Sequence, residues 1–427
     1  MTPLPRFMIA AAHKSSGKTV ISTGLAGALA NAGDTVTTFK KGPDYIDPMW
    51  LKAASGHPCY NLDFNTMDHD EIINLFASRA GSLSMVEANK GLFDGLRTDG
   101  SDSNAALAKL LGLPVILVID TLGMTRGIAP LLTGYVGFDT EVNIVGVILN
   151  KVGGARHETK LRDAVQTYTQ LPVLGSVWRD KRLEIGERHL GLTTPTDCLH
   201  KSDFIATAAE IVAQSVDLNA VRAAAKTAPD LPVPVTTGPA ACTTQTKLRI
   251  GIFQDAAFGF YYPDDLEAFQ AAGATLVPID ATGDKTLPDV DGLFIGGGFP
   301  ECWMQALSDN TPLRSDVRRQ LQNGMPCYAE CGGLMYLCES LSWHGQCMPM
   351  VGLIKGHARM HSKPQGRGYV AFERSNIHPW GPSSGTARAH EFHYASIDNL
   401  PENKIVHKQV HGPTSPSHCQ NQVPTKK

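Results

Sequence analysis

A junction near the start of the chain most narrows what it can fold into. Residues 7–12 form an unbroken apolar run, Phe7-Met8-Ile9-Ala10-Ala11-Ala12. It gives way at once to His13-Lys14-Ser15-Ser16-Gly17-Lys18-Thr19, and then to a helix-compatible stretch that reaches Ala32. A buried strand that feeds a polar, glycine-containing loop and then a helix is the opening unit of a parallel sheet covered by helices. Residues 35–40 supply a second strand. Residues 84–87, 114–120, 144–150 and 172–176 supply further β-rich runs, separated by helix-length segments. Alternation of this kind predicts an α/β domain with a parallel sheet and helices on both faces.

The same junction carries chemistry. A phosphate loop reads Gly, four residues, then Gly-Lys-Ser/Thr. Ala12 stands at the first glycine position, so the loop is a variant, but its physical parts are present. Free N–H groups of Ser16 and Gly17 and the start of the helix offer positive charge to phosphate. Lys18 is expected to reach the terminal phosphates, Thr19 to hold Mg²⁺, and Lys14 to add a second cation. Glu87 closes a strand and offers a hard cation an oxygen ligand. Asp44 and Asp47 lie just beyond the second strand, at the sheet edge where open α/β folds bind ligands. Each acid also has a plainer reading, as a strand-end or Pro-Asp turn residue.

At 427 residues the chain exceeds one compact domain. The expected division is an ATP-binding domain over 1–214, a Pro-, Ala- and Thr-rich linker over 215–247, a second α/β domain over 248–400, and a polar tail over 401–427. Residues 248–253, 275–279 and 292–295 read as strands of the second domain, and 266–272 as a helix. A net charge of −3 implies neither nucleic acid nor a membrane surface as partner. Residues 7–12 are too short for the core of a signal peptide. Nine scattered cysteines without a Cys-x-x-Cys pair suggest neither a zinc site nor a disulfide framework, which points to a reducing, cytoplasmic location.

The second domain has its own chemical turn. Residues 325–328 lead to Ala329-Glu330-Cys331-Gly332-Gly333, followed by a helical reading of 334–340. A sharp strand-to-helix turn exposes a nucleophile, and small neighbours let a substrate approach. The amides of Gly332 and of the upstream Gly296-Gly297-Gly298, Gly297 foremost, are candidates for an oxyanion hole. The helix start is expected to lower the thiol pKa. Its plainer reading is a buried structural cysteine. A base is also needed, and His390 and His393 form the densest histidine cluster downstream. A nucleotide loop and a cysteine amidohydrolase turn on one polypeptide suggest an amidating ligase.

At these residues the chain resembles the cobyrinic (hydrogenobyrinic) acid a,c-diamide synthase family of glutamine-dependent amidotransferases. The matching segments are Gly42-Pro43-Asp44-Tyr45-Ile46-Asp47-Pro48, Asn61-Leu62-Asp63, Glu87 with Gly91-Leu92-Phe93-Asp94-Gly95, residues 146–150, residues 187–192, residues 255–262, residues 296–301, Cys331-Gly332-Gly333-Leu334-Met335-Tyr336 and residues 390–394. The resemblance implies an N-terminal P-loop, dethiobiotin-synthetase-like parallel-sheet domain and a C-terminal class I glutaminase-like α/β domain. It implies ATP and Mg²⁺ held by Lys18, Thr19, Asp47 and Glu87, with Asn150 facing the adenine. Cys331 would form a glutamyl thioester. The partners would be glutamine or ammonia and a tetrapyrrole amidated on its a and c acetates through an acyl phosphate. Sirohydrochlorin or sirohaem is the alternative substrate, a ParA-like ATPase switch the alternative class, and a homodimer an admitted assembly.

Two departures carry expectations. The family places its catalytic histidine in a strand like Ser-Tyr-Leu-His-Leu-His, which residues 404–427 do not match, so glutamine should support less turnover than ammonium, with His390 and His393 as substitutes. Lys41 stands where the family more often has a small apolar residue, and it is expected to be a solvated side chain.

Overall fold

A computed structural model describes residues 4–188, 191–195, 201–232, 247–374, 386–400 and 407–409. They fall in two compact units that divide between Thr237 and Gly238. The linker residues 233–246 and the tail, His407–Gln409 apart, lie outside the described residues.

The first unit is built on seven strands: β1 (Arg6–Ala11), β2 (Val36–Lys41), β3 (Cys59–Leu62), β4 (Leu83–Glu87), β5 (Val115–Asp120), β6 (Ile144–Val152) and β7 (Val173–Trp178). All pair in parallel, in the spatial order β3-β2-β4-β1-β5-β6-β7. The chain runs outward from β1 through β2 to β3, returns to insert β4 beside β1, and then runs outward on the other side through β5, β6 and β7, so the ends of β1 and β4 border the crevice where such sheets bind ligands.

Both faces of the sheet are covered, which is why its strands read as continuous apolar runs. Phe7 and Ile9 of β1 enter one core, and Met8 and Ala10 enter the other. The first core is closed by α1 (Lys18–Asn31), α2 (Ile46–Ser55), α7 (Lys201–Ser215) and α8 (Leu218–Lys226). The second is closed by α3 (His69–Arg79), α4 (Asn104–Leu110), α5 (Ile128–Phe138) and α6 (Ala155–Tyr168). Gly24 and Gly27 of α1 lie against Ala208, Ala209 and Val212 of α7, where a Cβ on Gly24 would stand 2.6 Å from Val212 and 2.7 Å from the Ala208 carbonyl. A two-residue hairpin, β8 (Glu187–Arg188) with β9 (Gly191–Leu192), completes the unit.

Helix α8 lies inside the stretch that composition reads as linker. Its alanines suit a helix as well as a spacer, and Asp217 caps it by accepting from the N–H groups of Asn219 and Ala220. Val221 and Ala225 are buried in the core. Arg6, 1% exposed, donates to the carbonyls of Leu111 (2.6 Å), Leu4 (3.0 Å) and Pro229 (2.5 Å), which ties the chain beyond α8 to β1.

The second unit centres on a parallel sheet of β10 (Arg249–Phe253), β12 (Thr275–Ile279), β13 (Gly292–Ile295) and β15 (Cys327–Ala329), in the order β12-β10-β13-β15. A short ladder joins β11 (Phe258–Phe260) to β14 (Gly297–Gly298). Helices α9 (Pro263–Ala271), α10 (Met304–Asp309), α11 (Thr311–Gln322) and α12 (Gly332–Leu337) complete the α/β part. The helix expected to reach residue 340 ends at Leu337. Cys338 opens β16 (Cys338–Trp343), whose ladders with β17 (Gln346–Pro349) and β18 (Ile354–Met360) override local helical preference. Strand β18 also pairs with β21 (Ala395–Asp398), and β19 (Gly366–Arg374) pairs with β20 (Thr386–His393) and β22 (His407–Gln409). Among the described residues, no helix is long and apolar enough to cross a membrane.

Candidate active sites

The loop after β1 is shaped by residues that need left-handed backbone. Ser15 sits at φ 65° and Gly17 at φ 83°, just before α1. Gly17 is required twice over, because a Cβ there would also overlap the Asn150 side chain. Asn150, near the end of β6, donates from Nδ2 to the Ser16 carbonyl at 2.9 Å. The buried Ser16 hydroxyl donates to the His13 carbonyl at 2.7 Å. Lys14 is exposed at the loop tip. The loop is thus held from behind, with Lys18 and Thr19 entering the crevice.

Lys18 Nζ donates to the Lys90 carbonyl at 2.5 Å. Burial, reinforced by Lys40, lowers its pKa to about 8, against the pull of Glu87, Asp47 and Asp94. Thr19 Oγ1 donates to Glu87 Oε1 at 3.1 Å. Sequence reasoning gave no role to the residue at the centre of this cluster. Lys40, 2% exposed, places Nζ 2.6 Å from Asp47 Oδ2 and 2.7 Å from Glu87 Oε1, with Asp44 Oδ2 at 3.9 Å. A signal was present, since a lysine inside a buried strand must find carboxylates, and Asp44 and Asp47 follow it closely.

Desolvation and charge divide these groups. Burial acts to lower the Lys40 pKa, but Asp47, Glu87 and Asp44 together raise it. Burial acts to raise Asp47, and Lys40 outweighs it, holding that carboxyl below its ordinary value. Burial raises Glu87, which Lys40 only partly offsets. Asp44, still 36% exposed at its side chain, is pushed up to about 7 by desolvation and by Asp47, against Lys40. Glu87 itself is fully buried, and its Oε2 has no hydrogen-bond donor.

The expectation for Lys41 is corrected. It is 5% exposed, and its Nζ donates to the Asp102 carbonyl at 2.6 Å. Strand β2 lies inside the sheet, and the 89–104 segment covers its end. Burial lowers the Lys41 pKa, opposed by Asp102 and Asp63.

In the second unit Cys331 adopts φ 47°, ψ −112° between β15 and α12. A non-glycine residue in that region is strained, as expected of a nucleophile held out on a turn. The turn closes through Gly333 N–H, which donates to the Gly296 carbonyl (3.1 Å) and the Glu330 carbonyl (2.8 Å). A Cβ on Gly333 would overlap the Ile295 carbonyl, so only glycine lets the turn seat on the sheet. The Tyr261 hydroxyl accepts from Gly296 N–H at 3.0 Å and lies 2.6 Å from the Phe253 carbonyl, which fixes the glycine strip beside the cysteine.

Cys331 is exposed at the surface, but its sulfur is crowded by protein atoms. Desolvation, with Glu301 and Glu330 adding negative charge, pushes the thiol up to about 12, against the backbone N–H groups of Gly332 and Gly298. This corrects the expectation of a lowered pKa. A six-residue helix start and two amides do not outweigh two carboxylates and burial. The upstream amide that reaches the sulfur belongs to Gly298, and both Gly297 and Gly298 pair with β11 in the β11–β14 ladder.

The comparisons with known proteins agree with this arrangement. Residues 7–192 match the CobQ/CobB/MinD/ParA nucleotide binding domain, and residues 249–420 match the CobB/CobQ-like glutamine amidotransferase domain. The cobyrinate a,c-diamide synthase of Magnetococcus marinus is 42% identical over 407 residues, covering 93% of this chain and 87% of that protein. Those of Methanosarcina acetivorans (37% identical, 93% and 86% covered) and Dehalococcoides mccartyi (38%, 92% and 86%) are similar throughout. The chain belongs to the cobyrinate a,c-diamide synthase family. It is an ATP-binding ligase of the glutamine amidotransferase type.

A member of this amidotransferase family needs a base for its cysteine. Among the described residues, no histidine hydrogen-bonds Cys331. His393 lies at the end of β20, with Nε2 on Glu391 Oε1 (2.8 Å) and Nδ1 on the Ala395 carbonyl (2.7 Å). His390 is exposed three residues earlier on β20, edge-on to the Tyr369 ring. The structure therefore brings Lys18, Thr19, Asp47, Glu87 and Asn150 into one site, and Gly332 and Cys331 into another. It does not join either histidine to the cysteine.

Proposed function

We propose that this ligase amidates the a and c acetates of a cobyrinate-type tetrapyrrole, with activation by ATP and nitrogen from glutamine or ammonia. The observation that most supports this reading is the pairing of the Lys18–Thr19 loop with the strained Cys331 turn. Lys18, stripped of solvent, would bind the terminal phosphates as the substrate carboxylate attacks the γ-phosphorus and ADP leaves. Ammonia would then attack the acyl carbon and expel phosphate. Ser16 and Gly17 would cradle phosphate through their amides, with Lys14 closing over the tip. Asn150, whose Nδ2 is committed to Ser16, would offer Oδ1 to the adenine amino group.

The oxygen set of Thr19, Asp47 and Glu87 fits a hard cation, and the donor-less Glu87 Oε2 is the observation that argues for one. Among the described residues no cage of three or more ligating side chains is gathered. That suits Mg²⁺, which takes one or two carboxylates and completes its shell with water and phosphate. When bound, the ion would neutralise charge on the transferring phosphoryl group.

In the other half, Cys331 would attack the glutamine carboxamide carbon, with Gly332 and the Gly297–Gly298 strip stabilising the oxyanion. Ammonia would leave, and water would hydrolyse the thioester to glutamate. His393, oriented by Glu391, is the first candidate for the base, and His390 the second.

The test is mass spectrometry of products after incubation with ATP, Mg²⁺, ammonium or glutamine, and a tetrapyrrole panel that includes cobyrinate and sirohydrochlorin. Conversion of cobyrinate carboxyls to amides, lost in Lys18→Ala, is expected. Amidation that persists in Lys18→Ala, or no amidation of any tetrapyrrole, would refute the reading.

A further inference from the structure

We propose that Lys40 is the resident cation of the proposed metal site, and that a divalent ion must displace its ammonium to bridge Asp47 and Glu87. The inference rests on the metal site described under the proposed function. An ammonium 2.6 Å from Asp47 Oδ2 and 2.7 Å from Glu87 Oε1 stands where a cation shared by those carboxylates would stand. Mg²⁺ binds oxygen at about 2.0–2.1 Å and demands near-octahedral geometry. An ion that bridges those two oxygens from the side Lys40 occupies would meet the ammonium, and like charges at that range repel.

One feature shows that Lys40 fills the place incompletely. Glu87 is wholly buried, yet its Oε2 has no donor, so the ammonium leaves half of the carboxylate unanswered. A buried, uncompensated carboxylate oxygen is costly and is the kind of group a metal ion completes. Lys40 has the means to leave. It is a compact charge on a four-carbon stem at the end of β2, and Lys ammonium groups pivot more readily than Arg forks. In the free protein it keeps Asp47 and Glu87 from repelling each other. Metal affinity is then set by competition with an internal ligand.

The test is Mn²⁺ binding to the full-length chain, read by the electron paramagnetic resonance signal of free Mn²⁺, with and without ATP. Without nucleotide, Lys40→Met is expected to bind Mn²⁺ at least about tenfold more tightly than wild type. Lys40→Arg keeps the charge and the fold while gripping the carboxylates as a fork, and it is expected to bind more weakly than wild type. Glu87→Gln should weaken binding in the presence of ATP. If Glu87→Gln weakens binding but Lys40→Arg binds as wild type does, or folded Lys40→Met binds no more tightly, the displacement idea is overturned and the metal site stands. If Glu87→Gln leaves Mn²⁺ binding with ATP unchanged, the metal site itself is wrong.

Discussion

The Asn150 amide donates to the Ser16 carbonyl across 2.9 Å and fills the space that a side chain on Gly17 would need. One residue from the end of β6 therefore sets the curvature of the loop after β1. Asn150→Ala removes one hydrogen bond to a buried carbonyl. It should weaken nucleotide binding about five- to tenfold, the equivalent of about 1 kcal/mol. Gly17→Ala should cost more, since it adds left-handed strain to the overlap. The double variant should recover part of that loss, because the two residues occupy one space. Titration with a fluorescent ATP analogue reads all three. Additive losses would show that the contact does not shape the loop.

Cys331→Ser should abolish amide formation from glutamine and leave ammonium-dependent amidation intact, because only the first route needs the thiol. In the wild type, glutamine should support less turnover than ammonium, since no described histidine reaches the sulfur. Initial rates with each nitrogen source decide it, and equal rates would contradict the second expectation.

The exposed thiols Cys331 and Cys347 should differ in reactivity. Desolvation, with Glu301 and Glu330, pushes Cys331 up to about 12, whereas hydrogen bonds from Ser342 and Ser340 hold Cys347 below the ordinary thiol value. Thiolate is the reactive form, so iodoacetamide should label Cys347 before Cys331 at neutral pH. Labelling of Cys331 should then rise about tenfold per pH unit between pH 7 and 9, as its small thiolate fraction grows. Peptide mapping by mass spectrometry gives both rates. A flat pH profile for Cys331 would mean that its thiol is already ionised.

Arg6→Met should destabilise the first unit by about 2–4 kcal/mol in urea unfolding. It strands three carbonyls, one of them beyond α8. Arg6→Lys should not rescue it, because a single ammonium cannot reproduce the guanidinium fork. Wild-type stability in Arg6→Lys would remove the argument that Pro229 belongs to the first unit's fold.

Much of the site was legible because its parts are local in sequence. The β1–loop–α1 junction and the strand–cysteine–glycine turn announce themselves through short-range patterns of apolar residues and glycine. What stayed hidden depends on residues far apart. Nothing near Lys40 shows that Glu87 will lie beside it, because β4 is inserted between β1 and β2 only in the sheet. Lys41 reads as solvated until the 89–104 segment is seen to cover the end of its strand. Glu301 precedes Cys331 by thirty residues, so its charge could not be set against the helix start. Helix α8 was masked by the prolines that follow it, although Asp217 marked its beginning.

The resting form of Cys331 has a chemical consequence beyond glutamine. Peroxides and other oxidants consume sulfur as the anion, and a proton held on the atom makes it a poor target even in the open. A nucleophile kept neutral between turnovers should form sulfenic acid more slowly than a permanently ionised cysteine does.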